Sequence, residues 1–161
     1  MAGNPFWTWS LRLYRRPNVA ASCVGLQDRA GIEVNLLLFC LWSGSRRVSV
    51  SGATMSSALR VSREWSAAVV RPLRDVRRSL KGPAQSSATL QSFRRRVAAL
   101  ELEAEHLQQD TLAGLLRNGT ETDGEPAMIA ADNLALYFRR AGIRLAPRDW
   151  AALKVIVRAA F

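Results

Sequence analysis

Leu26-Gln27-Asp28-Arg29-Ala30-Gly31-Ile32-Glu33-Val34-Asn35-Leu36-Leu37-Leu38-Phe39-Cys40-Leu41-Trp42 decides the fold. Its second half is apolar all round at a 3.6-residue period, and such a helix belongs at the centre of a core rather than on its surface. Asn35 is nevertheless an amide, and Gln27 and Asp28 precede it, so neighbours must satisfy these polar groups if they are buried. Gly31 suits the left-handed residue that stops a helix. The stretch therefore predicts one helix from Val19 to Ala30 and a second from Glu33 to Trp42, with the Glu33 carboxylate near the positive end of the second.

Upstream, Asn4-Pro5 is a helix start, with Asn as the cap and Pro in the first turn, leading through Phe6, Trp7, Trp9, Leu11 and Tyr14 to Arg15. Downstream, Ser43 to Gly52 is a Ser/Gly-rich connection in which Val48 and Val50 alternate with serines, so a short extended piece fits there. No segment reads convincingly as a strand. A fourth helix is predicted over Ser57 to Lys81 with a kink near Pro72. Val61, Trp65, Ala68, Val69, Pro72, Leu73, Val76 and Leu80 share one side of it, and Arg60, Arg63, Arg71, Arg74, Arg78 and Lys81 the other. A fifth runs from Ser87 to Arg117, with Leu90, Phe93, Val97, Leu100, Ala104 and Leu107 as a brief heptad seam, making a long antiparallel hairpin with the fourth. A polar, acidic loop spans Asn118 to Pro126. Helices over Ala130 to Ala141 and Pro147 to Ala160 close the chain, although Ala146 lacks a capping side chain. The expected fold is an all-α, single-domain bundle of six to seven helices over residues 1–161.

Of the 161 residues, 48% are hydrophobic, enough for a sizeable core. The chain carries 23 basic and 13 acidic residues, a formal charge of +10. The excess is concentrated in the middle: residues 59–96 hold nine Arg and Lys81 against Glu64 and Asp75, whereas residues 97–161 are net acidic. Only Lys81 and Lys154 are lysines. Arginine forks suit phosphate and carboxylate recognition, but an Arg- and Ala-rich chain also follows from GC-rich coding. Cys23 and Cys40 have apolar, helical surroundings without zinc-ligand spacing, and are expected as buried free thiols in a reducing compartment. Met1 to Arg16 lacks the pattern of a signal peptide. The apolar run ending at Trp42 falls short of the ~20 residues that span a bilayer. A cytoplasmic protein without integral membrane association is expected.

Two constellations compete for function. Arg60, Arg63, Arg71, Arg74, Arg78 and Lys81, extended by Arg94, Arg95 and Arg96 across the hairpin, would create a field that attracts an acidic protein or nucleic acid. Its bland counterpart is a solvated face paired with Glu101, Glu103 and Glu105. Gln27, Asp28 and Asn35 could instead line a polar pocket, or simply satisfy the helix ends around Gly31. Catalysis has little to work with. His106 is the only histidine, so neither a Cys-His or Ser-His nucleophile nor a paired Glu-x-x-His metal site is assembled. Glycine-rich phosphate loops are absent. No cofactor, metal or catalytic residue is assigned. Trp7, Trp9, Trp42, Trp65 and Trp150 are expected as core anchors rather than as an aromatic cage.

The opening Phe6-Trp7-x-Trp9-Ser10-Leu11-x-x-Tyr14, followed by Leu26-Gln27-Asp28-x-x-Gly31-x-x-Val34-Asn35 and on to Trp42, resembles a family of small bacterial proteins catalogued only as a domain of unknown function. Trp65, Leu73-Arg74, Arg77 to Lys81 and Ala99 to Glu105 are similar to its middle section, and the likeness covers residues 6–110. It implies a bacterial cytoplasmic protein and supplies no catalytic residues. The residues then favour a non-enzymatic helical protein docking an acidic or phosphate-bearing partner through the Arg60 to Arg96 surface. A small enzyme or ligand binder using the Gln27, Asp28 and Asn35 pocket is the rival. A helical subunit of a homo-oligomer is the third expectation, with oligomeric state unassigned.

Overall fold

The computed structural model describes residues 4–161. Helix α1 (Pro5–Tyr14) begins as the sequence predicts: the Asn4 side chain accepts the Phe6 N–H at 2.9 Å, with Pro5 in the first turn. Helix α2 (Val19–Ala30) stops at Gly31, whose φ of 66° is the left-handed conformation. Helix α3 (Val34–Ser45) is the core helix, with every residue from Leu36 to Gly44 buried. It runs three residues past the predicted end. The Ser43 and Ser45 hydroxyls donate to the Phe39 and Trp42 carbonyls at 2.6 and 2.7 Å, so serine is accommodated inside the helix rather than ending it.

The short extended piece read at Val48 and Val50 is a two-residue strand. Strand β1 (Val48–Ser49) pairs antiparallel with β2 (Thr120–Glu121). Val48 and Val50 turn into the core while Ser49 faces out, the period-two pattern of a strand. The amide of Asn133 fixes the passage, accepting the Val50 N–H at 2.9 Å and donating to the Val48 carbonyl at 3.1 Å.

Helix α4 (Gly52–Trp65) begins five residues earlier than predicted because the Ser51 hydroxyl caps it, accepting the Thr54 N–H at 3.0 Å. The kink expected at Pro72 is a π turn over Ser66–Val70, followed by α5 (Arg71–Ser79). Pro72 has no N–H to give to the carbonyl four residues back, and the Arg71 N–H reaches five back, to Ser66. The buried side of α4 and the π turn is Met55, Ala58, Leu59, Ser62, Ser66 and Val70. That corrects the predicted apolar face, of which Ala68, Pro72 and Val76 are exposed.

Helix α6 (Ala88–Gly114) returns antiparallel along α4 and α5, forming the predicted hairpin. Its seam is also corrected. Val97 and Ala104 are buried, but the other inward positions are Glu101, Gln108 and Leu112, while Phe93, Leu100 and Leu107 are exposed. Helices α7 (Pro126–Ala141) and α8 (Pro147–Ala160) close the bundle. Helix α7 starts at Pro126, four residues before the predicted start, with Pro in its first turn. Helix α8 lacks a capping side chain at Ala146, and the Asp149 carboxylate accepts the Ala146 N–H instead. Asp149 also accepts from Arg29 of α2 at 2.9 Å, and that bond first, then the Ala146 N–H, holds its carboxyl below the usual range despite desolvation.

The fold is therefore all-α. A hydrophobic core runs from Phe6 and Leu13 through α3 to Leu153 and Ile156, with Trp42 stacked on Phe6. Cys23 and Cys40 are free and buried. Among the described residues, no helix is long and apolar enough to cross a membrane.

Candidate functional site

The α2–α3 junction, with its Gly31 turn, meets α1, the π turn with α5, and the second half of α6 around a cavity of about 520 Å³. Gln27, Asp28, Glu33 and Asn35 come from the junction, and Trp7, Ser10, Leu11 and Tyr14 from α1. Ser66, Arg71, Arg74 and Arg78 face them, with Leu102, Glu105, Gln108 and Gln109 from α6. The two constellations weighed separately in the sequence thus meet in one place. Gln27, Asp28 and Asn35, the three polar residues predicted at the junction, all line the cavity, together with three of the nine basic residues.

Its floor is a chain of mutually satisfied amides. The Ser10 hydroxyl donates to Gln109 Oε1 at 3.0 Å, and Gln109 Nε2 donates to Asn35 Oδ1 at 2.8 Å. Asn35 Nδ2 donates to Gln108 Oε1 at 2.6 Å, and Gln108 Nε2 to the Ser62 hydroxyl at 2.8 Å. The Ser66 hydroxyl donates to Glu33 at 2.8 Å, and the Glu33 backbone N–H to the Tyr137 hydroxyl at 2.9 Å. Among the described residues, no buried side-chain nitrogen or oxygen lacks a partner. Asn35 therefore spans α3 and α6 with both ends of its amide. Asn35→Leu would strand the buried Gln108 oxygen and Gln109 nitrogen, and we expect it to lower unfolding free energy by about 2 kcal/mol in urea titration. Undiminished stability would show that the amide chain does not brace the floor.

Arg74 and its neighbours form the wall between cavity and hairpin. Arg74 donates to Glu101 at 2.8 Å and to Glu105 at 3.0 Å, and Arg77 donates to both oxygens of Glu101. Burial pushes the Glu101 carboxyl up, but hydrogen bonds and charge from Arg77 and Arg74 together hold it below the usual range. At Glu105 the balance reverses: burial dominates over the single Arg74 partner and raises its pKa. Burial likewise raises Tyr14 well above its ordinary value, and the Cys23 thiol is pushed up to about 11.

The nine basic positions do not form one free stripe. Arg74 is committed to its carboxylates, and the half-buried Arg94 donates to the Arg77 carbonyl at 3.2 Å. Arg71 and Arg78 stand at the cavity. Arg60, Arg63, Lys81, Arg95 and Arg96 are exposed, Arg60 against Glu64 at 3.4 Å. Of the acidic set expected to pair with them, Glu101 and Glu105 do so and Glu103 is exposed without an ion pair among the described residues. His106 stacks on Trp7 with ring centres 4.5 Å apart and lies 3.5 Å from Asp110.

Tyr14, Glu105, Gln108 and Gln109 were not identified as site residues from the sequence. The signal was present in the inward steps of four, three, four and four from Val97 through Glu101, Ala104 and Gln108 to Leu112. Two polar members made that row look solvated. The tryptophans divide: Trp42 is a core anchor, Trp7 lines the cavity, and Trp150 is half exposed.

Comparison with known proteins places this site within a shared unit. No curated protein and no solved structure matches the chain significantly. Residues 5–112 match the model of a family described as a protein of unknown function, DUF2390. The match contains every residue that lines the cavity and stops before α7 and α8. On that match the chain belongs to the DUF2390 family.

Proposed function

We propose that the protein is a non-enzymatic binding module whose cavity takes a small acidic or phosphate-bearing ligand. The observation that carries this reading is the meeting of Arg71 and Arg78 with Gln27 and Asp28 around one concave site. Arg71 has no ion pair among the described residues, and Arg78 reaches Asp28 only at 3.8 Å, with both side chains more than half exposed. A contact of that kind exchanges readily for a ligand anion. Gln27 makes no side-chain hydrogen bond among the described residues and offers both a donor and an acceptor. Asp28 and Asp75 at the same mouth disfavour a long polyanion and favour a compact ligand that pairs anionic groups with donors. Leu11, Val70 and Leu102 supply the apolar part of the lining.

The test is a thermal-shift and calorimetry screen of purified, nuclease-treated protein against small carboxylates, phosphate esters and nucleotides, with generic nucleic acid in parallel. A ligand that binds only the folded state should raise the melting temperature by about 5–10 °C at a hundredfold excess over Kd. Arg71→Glu/Arg78→Glu should abolish the shift, and Arg60→Glu/Arg63→Glu should leave it intact. A shift that survives the first pair, or nucleic acid binding without any small-molecule response, would overturn the proposal.

A further inference from the structure

Phe93, Leu100 and Leu107 are the part of the predicted heptad seam that the fold does not bury: they are 41%, 52% and 48% exposed. Seven residues are nearly two helical turns, so the three side chains follow one line about 21 Å long on the flank of α6. Their inward neighbours Val97 and Ala104 are already covered by the hairpin. This line lies on the flank away from the cavity, whose α6 lining comes from Leu102, Glu105, Gln108 and Gln109.

The charges beside the line identify its occupant. Arg96 flanks it on the amino-terminal side of Leu100, with its guanidinium carbon 5.5 Å from the Phe93 ring centre. Glu103 flanks it on the carboxy-terminal side. Both are exposed, and among the described residues neither has an ion-pair partner within the chain. The nearest acid beyond, Asp110, is held by Asn4 at 2.6 Å and by His106.

We infer that this flank of α6 docks a second copy of the same chain, antiparallel, about a two-fold axis at Leu100. Leu100 then lies on its own copy, and Phe93, seven residues before it, meets Leu107, seven residues after it, twice. The same operation brings Arg96, four residues before the axis, to within one residue of Glu103, three residues after it, twice, an axial offset of about 1.5 Å that long side chains span. The surface is self-complementary, which is the requirement of a two-fold interface. A parallel pairing would oppose Arg96 to Arg96 and Glu103 to Glu103, so charge selects the antiparallel arrangement. One helix flank buries less than an obligate interface does, and the dimer is concentration-dependent.

Sedimentation equilibrium of the purified full chain from about 1 to about 500 µM spans the range for an interface of this class. We expect the mass to rise from 17.8 kDa towards twice that value. Leu100→Glu should remain monomeric throughout, with unchanged circular dichroism because the position is exposed. Arg96→Glu and Glu103→Arg should each weaken association by about tenfold, and the double variant should restore it to within about twofold, because each pair regains opposite signs. Leu100→Cys should form a disulfide-linked dimer under mild oxidation, since Cys23 and Cys40 are buried and cannot substitute for it. A wild-type chain that stays monomeric, a dimer that tolerates Leu100→Glu, or a double variant as weak as the single ones would overturn the inference.

Discussion

Gly44→Ala is expected to cost about 3 kcal/mol, net of the ~1 kcal/mol that alanine contributes over glycine in a helix interior. Gly44 lies in the buried stretch of α3 where that helix touches α7. A β-carbon there would stand 2.5 Å from the Ala130 Cβ, 2.6 Å from its backbone nitrogen and 2.7 Å from its Cα. Two of those three atoms are main chain, so no rotamer change relieves the overlap and α7 must move as a unit. Asn133, one turn further along α7, would carry its bonds to Val48 and Val50 with it. Urea unfolding of the single variant and of Gly44→Ala/Ala130→Gly separates the causes. Removing the Ala130 methyl should recover only part of the loss, since the backbone contacts remain. An unchanged midpoint for the single variant would show that the helices have slack where they cross.

Glu101→Leu should destabilise the chain by about 3 kcal/mol, because it leaves two largely buried guanidinium groups without their shared carboxylate. Arg74 and Arg77 side chains are 17% and 27% exposed, so water compensates only in part. The expected pH dependence follows from the sign of the shift. Glu101 is held below its ordinary value of 4.5 in the folded chain, so its contribution is present above that pH and fades as pH falls through the lower folded value. The gap between wild type and Glu101→Leu, measured by urea titration, should therefore narrow from pH 7 to pH 3. Glu105 acts with the opposite sign. Its raised value means that stability is lost as pH rises through the carboxylate range, and Glu105→Gln should remove that slope. A wild-type–Glu101→Leu gap independent of pH would place the effect in packing rather than in charge.

Much of the helix order was legible because its punctuation is chemical and local. Asn4-Pro5, Gly31, Gly142 and Pro147 each state a dihedral angle or a missing donor, and the structure places helix ends beside all of them. Starts read from composition alone fared worse. Ser51-Gly52 looks like a loop until the Ser51 hydroxyl is seen capping α4. The inner row of α6 was misread for a physical reason. Hydrophobic periodicity assigns Leu100 and Leu107 to the core, yet Glu101 and Gln108 occupy it because partners distant in sequence satisfy them: Arg74 and Arg77 for one, Asn35 and Ser62 for the other. Those partners cannot be matched before the hairpin is closed. The candidate site shows the same limit. Its polar junction and its arginines were each visible, but their meeting depends on how α5 rolls against α6.

That roll is governed by a count of residues. The π turn over Ser66–Val70 holds one residue more than the α-helical path would need. Were the same residues wound as an unbroken α-helix, every side chain beyond Val70 would swing by about 100°, one residue's rotation, around the axis. Arg74 would leave its carboxylates, and Arg71 and Arg78 would leave the cavity mouth. Spacing, more than the identity of any one arginine, allots one guanidinium to the wall and two to the opening. The segment works as a vernier between the half of one continuous helix that packs into the core and the half that lines the cavity mouth.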